Sequence, residues 1–273
     1  MNERCWINGE PGTLIAAADR GLQYGDGVFE TMAVRHGRIV LLEMHLQRLV
    51  EGCERLGIPP PSVASIHGEL NAAVPDQERA ILKLIVTRGS SGRGYRPAQT
   101  VTPTRILALH DWPAYPESWW QNGIHVRICK TILGGNPQLA GVKHLNRLEQ
   151  VLARAEWSDA DSIQEGLMTD ADGAVIEGTM TNVFARLADG TVTTPDVSVC
   201  GVAGVMRRYI MERAEQMSVP IRVSKLTIQE LNEAQEIFVC NSVIGVWPVN
   251  TIGEWSYPVG EMTREIQQWT DEL

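Results

Sequence analysis

The stretch GNPQLAGVKHLNRLEQVLARAEW, Gly135 to Trp157, sets loop-forming chemistry directly before helix-forming chemistry. Gly134, Gly135, Asn136 and Pro137 are loop formers. Beyond them Leu145, Leu148, Val151, Leu152 and Ala155 recur at helical spacing, with Asn146, Arg147, Glu149, Gln150 and Arg154 on the other face. The pattern predicts an amphipathic helix with Lys143 at, or just before, its N-terminus. A cation matches the positive end of a helix dipole poorly, so the position favours the neutral amine and a lowered pKa. A neutral amine is what Schiff-base chemistry requires. The ordinary alternative is a solvated lysine whose stem swings clear of the dipole.

Working outward, the segments before this stretch mix strands and helices without strict alternation. CWI and the Asn8-Gly9 turn open a hairpin that runs on to Ile15. VFETMAVR, His36-Gly37 and RIVLL make a second hairpin. A helix is predicted over 43–56, with Leu46, Leu49, Val50, Cys53 and Leu56 on one face. Another helix follows Pro59-Pro60-Pro61, and then come the strands AILKLIVTR and RILALHD. WPAYPESWWQNG, rich in proline and aromatics, is the linker candidate. After it come a strand over 124–131, a strand pair about Asp172-Gly173, the extended run TNVFARLADGTVTTP, a helix near 204–217, PIRVS, a short helix and EIFVC. The fold class is therefore α+β in two domains, 1–113 and 124–273, joined by 114–123. Interfaces between domains commonly carry ligand sites.

Composition narrows the function. With 44% apolar and 21% charged residues the chain can bury a core, and a net charge of −9 argues against nucleic acid. The N-terminus MNERCWINGE has no apolar signal region, and no apolar run is long enough to span a membrane. The five cysteines are scattered, with no C-x-x-C pair, as in a cytoplasmic protein with reduced thiols. The six histidines lack metal-ligand spacing, so no metal is expected. A phosphate loop, a G-x-S-x-G elbow, an H-E-x-x-H pair and a dinucleotide fingerprint are all missing.

Four further candidates stand out beside Lys143. Glu177 closes an extended run and could pair with a cationic ring nitrogen, or be an exposed turn acid. Arg48 lies beside the apolar face of its helix, where it could hold a phosphate or simply be solvated. GVAGVMRRYI puts small residues ahead of a helix, a common pattern that also makes an anion site. TRGSSGRGYR carries arginines on a glycine-rich turn, suited to gripping a carboxylate or equally a mobile surface hairpin.

Taken together, DRGLQYGDGVFET, HLQRL, TRGSSGRGY, KHLNRLEQVL, EGTMTNVF, GVMRR and VCNSVIGVWPV resemble the motifs of the fold-type IV pyridoxal phosphate enzymes, in order across roughly residues 4–250. That group holds branched-chain aminotransferases, D-amino acid aminotransferases and the aminodeoxychorismate lyases. The lysine segment and RGSSGRGY are most similar to the lyase branch. The resemblance implies pyridoxal 5′-phosphate in an interdomain cleft, with Lys143 as the Schiff-base lysine. Arg48, the N–H groups of Val205 and Met206, and the segment Asn241-Ser242 would bind its phosphate, and Glu177 would face the pyridine nitrogen. Where the D-amino acid enzymes place a carboxylate-trapping arginine, a histidine and a tyrosine, this chain has Arg93, Tyr95 and Phe29. The implied reaction takes 4-amino-4-deoxychorismate to 4-aminobenzoate, for folate biosynthesis, and pyruvate, in a homodimer. The alternatives are an aminotransferase of the same fold and a non-catalytic binding protein with a degenerate site.

Overall fold

The computed structural model describes residues 4–75 and 78–273. They form two compact units. The first runs to Pro113 and takes in Val142–Asn146; the second comprises Ala114–Gly141 and Arg147–Leu273. The lysine segment thus falls in the first unit, although the chain on either side of it belongs to the second.

The first unit contains β1 (Arg4–Ile7), β2 (Glu10–Pro11), α1 (Arg20–Tyr24), β3 (Gly27–Arg35), β4 (Arg38–Ile39), α2 (Leu42–Leu56), α3 (Val63–Ala73), β5 (Arg79–Thr87) and β6 (Thr104–Asp111). Its six-stranded sheet has the order β2-β1-β6-β5-β3-β4, with every neighbouring pair antiparallel. Both predicted hairpins form, the left-handed backbone at Asn8-Gly9 and His36-Gly37 turning each chain tightly. The first strand pair stops at Pro11, short of Ile15. Helix α2 lies within a residue of its expected bounds and buries Leu46, Leu49 and Cys53 against Val28, Met32 and Val34 of β3. Gly57 closes the helix in the left-handed region. Arg88 then donates to the Leu56 and Gly57 carbonyls at 2.7 and 2.6 Å, a cation at the negative end of the helix.

The second unit contains α4 (Ser118–Asn122), β7 (Ile124–Ile128), α5 (Leu148–Arg154), β8 (Glu165–Thr169), β9 (Ala174–Gly178), β10 (Asn182–Arg186), β11 (Val192–Pro195), α6 (Val205–Gln216), β12 (Ile221–Ser224), β13 (Leu226–Thr227), α7 (Ile228–Asn232), β14 (Glu236–Asn241), β15 (Gly245–Ile252), β16 (Trp255–Ser256) and α8 (Glu261–Asp271). Its mixed sheet follows β12-β11-β10-β14-β15-β7-β8-β9-β13, with β16 added at β15. Parallel pairing is confined to β11·β12, β15·β7 and β7·β8. The C-terminal helix α8, unmarked in the sequence reading, buries Met262, Ile266 and Trp269. Among the described residues no helix is long and apolar enough to cross a membrane.

The stretch read as a linker is built into the second unit instead. Tyr115, Trp119 and Trp120 set their rings edge-on around buried Trp247, with centroids 4.9, 5.1 and 5.5 Å away. The Trp120 indole also donates to the Ile244 carbonyl at 2.7 Å. Proline and tryptophan here signal a packed aromatic clamp, so Trp119 and Trp120 are not the exposed side chains a linker would carry. Replacing Trp247 by Ala removes the centre of that clamp and is expected to cost about 3–5 kcal/mol in urea denaturation. A loss below about 1 kcal/mol would contradict this packing role.

Candidate active site

In the first unit, Lys143 is held beside β3 by an isolated bridge between Val28 and His144, and not by a helix end. The Phe29 N–H donates to the Lys143 carbonyl and the Leu145 N–H donates to the Gly27 carbonyl, each at 3.0 Å. Gly27 permits this approach, since a Cβ there would lie 2.5 Å from the Val86 carbonyl oxygen and 2.8 Å from Leu145 Cδ1. The pleat turns Val142 into the core and brings Lys143 Nζ to 4.4 Å from the centroid of the Phe29 ring. Lys83, in register with Thr31, reaches the same ring at 5.4 Å. Two lysine side chains therefore lie against the Phe29 ring, and Lys83 was missed in the sequence. The predicted helix begins only at Leu148, with Arg147 as its N-cap. Lys143 therefore lies outside the reach of the α5 dipole, which is confined to the first turn, contrary to the expectation from its sequence position.

The core-facing side of β3 carries a second constellation that the sequence reading missed. Glu30 accepts from Arg48 through Nε at 2.8 Å and Nη2 at 2.5 Å, and its Oε2 lies 2.6 Å from His45 Nδ1. Arg48 is therefore neither merely solvated nor a lone cation. Burial pushes the Glu30 carboxyl up, but the Arg48 charge and the bonds from His45 and Arg48 outweigh it and hold the pKa at about 2. Burial pushes His45 below its ordinary value, against the pull of Glu30.

The arginine-rich turn is pinned in place. Buried Arg20 pairs with Asp26 at 2.7 Å and donates to the Gly94 and Tyr95 carbonyls at 2.9 Å. Arg88 shares Asp26. Burial raises the Asp26 pKa, yet the bonds and charges of Arg88 and Arg20 hold it below its usual value. Tyr95 is exposed and sets its ring against Tyr24 at a tilt of 56°, with centroids 5.4 Å apart. Arg93 is exposed on the same turn.

In the second unit, Glu177 sits in β9 and is buried, which removes the exposed-turn alternative. The Val202 N–H donates to Glu177 Oε2 at 2.8 Å, and the Gln150 amide donates to Oε1 at 3.3 Å. Arg147 is close enough for its charge and that of Glu177 to interact. Gly201, at φ +86°, allows the loop to approach, since a Cβ there would meet Ile176 Cγ2 at 2.7 Å. The Asn182 amide donates to the Val202 carbonyl at 2.9 Å, and a Cβ on Gly204 would lie 2.0 Å from Asn182 Oδ1. That contact sets the start of α6, whose first residues Val205 and Met206 are buried. Their N–H groups lack intrahelical partners, the arrangement that suits an anion. Asn182 pairs with Cys240 in the sheet, which puts Asn241 and Ser242 near the same end. The Asn241 side chain accepts from Val243 and Ile244 N–H groups and donates to the Met180 carbonyl, so it serves the turn. Ser242 is buried beside it.

Residues 27–252 match the family model of amino-transferase class IV. A relative named aminodeoxychorismate lyase, from Vibrio harveyi, is 36% identical over 96% of this chain and 97% of its own length. A D-alanine aminotransferase from Bacillus licheniformis is 28% identical over 91% of this chain and 88% of its own. The crystal structure of 4-amino-4-deoxychorismate lyase from Pseudomonas aeruginosa is similar at a TM-score of 0.94 and 50% identity, covering 98% of this chain and 99% of that one. The chain belongs to the amino-transferase class IV family and has its two-domain, fold-type IV α+β architecture.

The Glu30 pair generates a pH test. Its carboxyl sits at about 2 against an ordinary 4.5, so its stabilisation is complete above 4.5 and is lost as pH falls toward 2. The stability gap between wild type and Glu30→Gln, read from urea midpoints, is expected to narrow steadily below pH 4.5. A gap unchanged down to pH 3 would contradict the ion pair.

Proposed function

We propose that this chain is a pyridoxal 5′-phosphate-dependent lyase that converts 4-amino-4-deoxychorismate to 4-aminobenzoate and pyruvate. The observation that carries the reading is the 50% identity to the Pseudomonas aeruginosa lyase across nearly the whole of both chains. The donor set also fits the cofactor. An amine at Lys143 suits the aldehyde, Arg48 and the α6 N-terminus with Val205 and Met206 suit a phosphate, and buried Glu177 suits a protonated ring nitrogen. The local role of the Asn241 side chain leaves Ser242 and backbone groups as that segment's contribution.

Bound pyridoxal phosphate supplies an electron sink for the charge left when the amine-bearing carbon loses its proton. Lys143 is the base that takes this proton, a role worth about a hundred- to ten-thousand-fold. Glu177 is held in place by the Val202 N–H, which donates to its Oε2 at 2.8 Å. Departure of the enolpyruvyl group makes the six-membered ring aromatic, and the products together contain every atom of the substrate. No keto acid is consumed. The substrate carboxylates need cations, which Lys83 offers beside Phe29 and Arg93 offers on its pinned turn. Tyr95 is assigned to holding that turn through Tyr24.

A homodimer is part of the reading. Leu148, Val151 and Leu152 are 75%, 60% and 61% exposed on one side of α5, while Gln150 and Ala153 face inward. Three apolar side chains turned out along one helix fit burial against a second copy. The cytoplasm is proposed as its location, the cysteines being free.

Purified protein given 4-amino-4-deoxychorismate and no keto acid is expected to release 4-aminobenzoate and pyruvate in equal, continuing amounts. Lys143→Ala should lower that rate by at least about a hundredfold. Product formation that stops after one equivalent, or that needs a keto acid, favours an aminotransferase instead. Light scattering should give twice the chain mass for wild type and a single-chain mass for Leu152→Glu. A monomeric wild type would remove the dimer from the account.

A further inference from the structure

The inference concerns what stands behind Arg48, and it rests on the reading of Arg48 as a phosphate-holding residue. Glu30 occupies an inward position of β3, in series with Val28, Met32 and Val34, where a carboxylate is costly unless paired. Its partners take both oxygens. Arg48 bonds them side-on through Nε and Nη2, which directs the Nη1 end of the guanidinium away from Glu30. The three side chains grade outward: Arg48 is 13% exposed, Glu30 1% and His45 0%.

His45 has one directed bond to give. Burial keeps its imidazole neutral, and an ionised Glu30 can only accept, so Nδ1 carries the proton and donates at 2.6 Å. Its Nε2 has no hydrogen-bond partner among the described residues. His45 thus fixes Glu30 from the core side while Glu30 fixes Arg48 from behind. The negative charge of Glu30 also offsets that of Arg48. What Arg48 then offers a ligand is directional N–H donation more than net charge.

We infer that Glu30 and His45 are positioning residues that hold the Arg48 guanidinium in one orientation toward the cofactor phosphate. A purely structural ion pair would stabilise the fold without favouring a phosphorylated ligand over its unphosphorylated form. The two roles separate in a binding measurement on the full chain stripped of cofactor. Dissociation constants for pyridoxal 5′-phosphate and for pyridoxal are measured by absorbance titration, and the ratio of the pyridoxal constant to the phosphate-form constant reports the phosphate alone.

The ratio is expected to fall about tenfold in Glu30→Gln, as for loss of one oriented charge-assisted bond, with pyridoxal affinity unchanged. Arg48→Met should lower it at least as far, and adding Glu30→Gln to Arg48→Met should lower it no further, because Glu30 acts through Arg48. A ratio lowered by Arg48→Met and untouched by Glu30→Gln overturns the positioning role and leaves the cofactor reading intact. Independent, additive effects overturn it as well. A ratio untouched by Arg48→Met removes the reading of Arg48 and the inference together. Should Glu30→Gln not fold, Glu30→Asp takes its place. That variant keeps the charge and withdraws it by one methylene, so an unchanged ratio there also overturns the inference.

Discussion

Two backbone hydrogen bonds, from Phe29 to Lys143 and from Leu145 to Gly27, are the constraint on which the chemistry of the first unit depends. They tie residues 142–146 to the start of β3 through one isolated bridge, Val28 with His144. Pleating then does the rest, sending Val142 inward to the core and Lys143 to the Phe29 face. The lysine is positioned by backbone bonds to a sheet strand, which fix a side chain more precisely than a free loop can. Gly27 is the requirement this places on the sequence. A side chain there would collide with β5 and with Leu145, and the strand could not close against its neighbour.

One strand, β3, serves two purposes by its alternation. Its odd-numbered position Phe29 faces the two lysines, while its even-numbered position Glu30 faces α2 and engages Arg48 and His45. A buried carboxylate between apolar neighbours costs stability unless fully bonded, and here each oxygen is engaged. The second unit repeats the logic with different parts. Glu177 is buried in β9 and satisfied by the Val202 N–H, in a loop whose approach depends on Gly201. In both units a candidate site residue on regular secondary structure, Arg48 on α2 and Glu177 on β9, has a second residue fixing its orientation.

Much of this could be read from the chain itself. Turn pairs such as Asn8-Gly9 and Asp172-Gly173 located hairpins because left-handed backbone is chemically specific. Helix α2 was readable because its apolar spacing is backed by burial of Leu46, Leu49 and Cys53. Helix α5 shows the limit. Leu148, Val151 and Leu152 mark an apolar side correctly, but periodicity says nothing of what covers it, and in the single chain it faces outward. The Trp112–Gly123 stretch failed for a related reason: prolines suggested a linker, while the tryptophans were there to pack on Trp247. Glu30 left a signal that went unused. Its parity with Val28 and Met32 places it in the core, and a carboxylate there demands partners. Lys83, by contrast, carries no local mark, since only the β3·β5 register brings it to Phe29.

Lys143, held against β3 by this bridge, is the proposed point of cofactor attachment. The most direct test is to reduce the protein with borohydride in the presence of pyridoxal 5′-phosphate and map the modified peptide by mass spectrometry. A single stoichiometric phosphopyridoxyl group on Lys143 is expected, abolished in Gly27→Val, where residues 142–146 cannot dock on β3. Modification spread over surface lysines, or placed on Lys83, would contradict it.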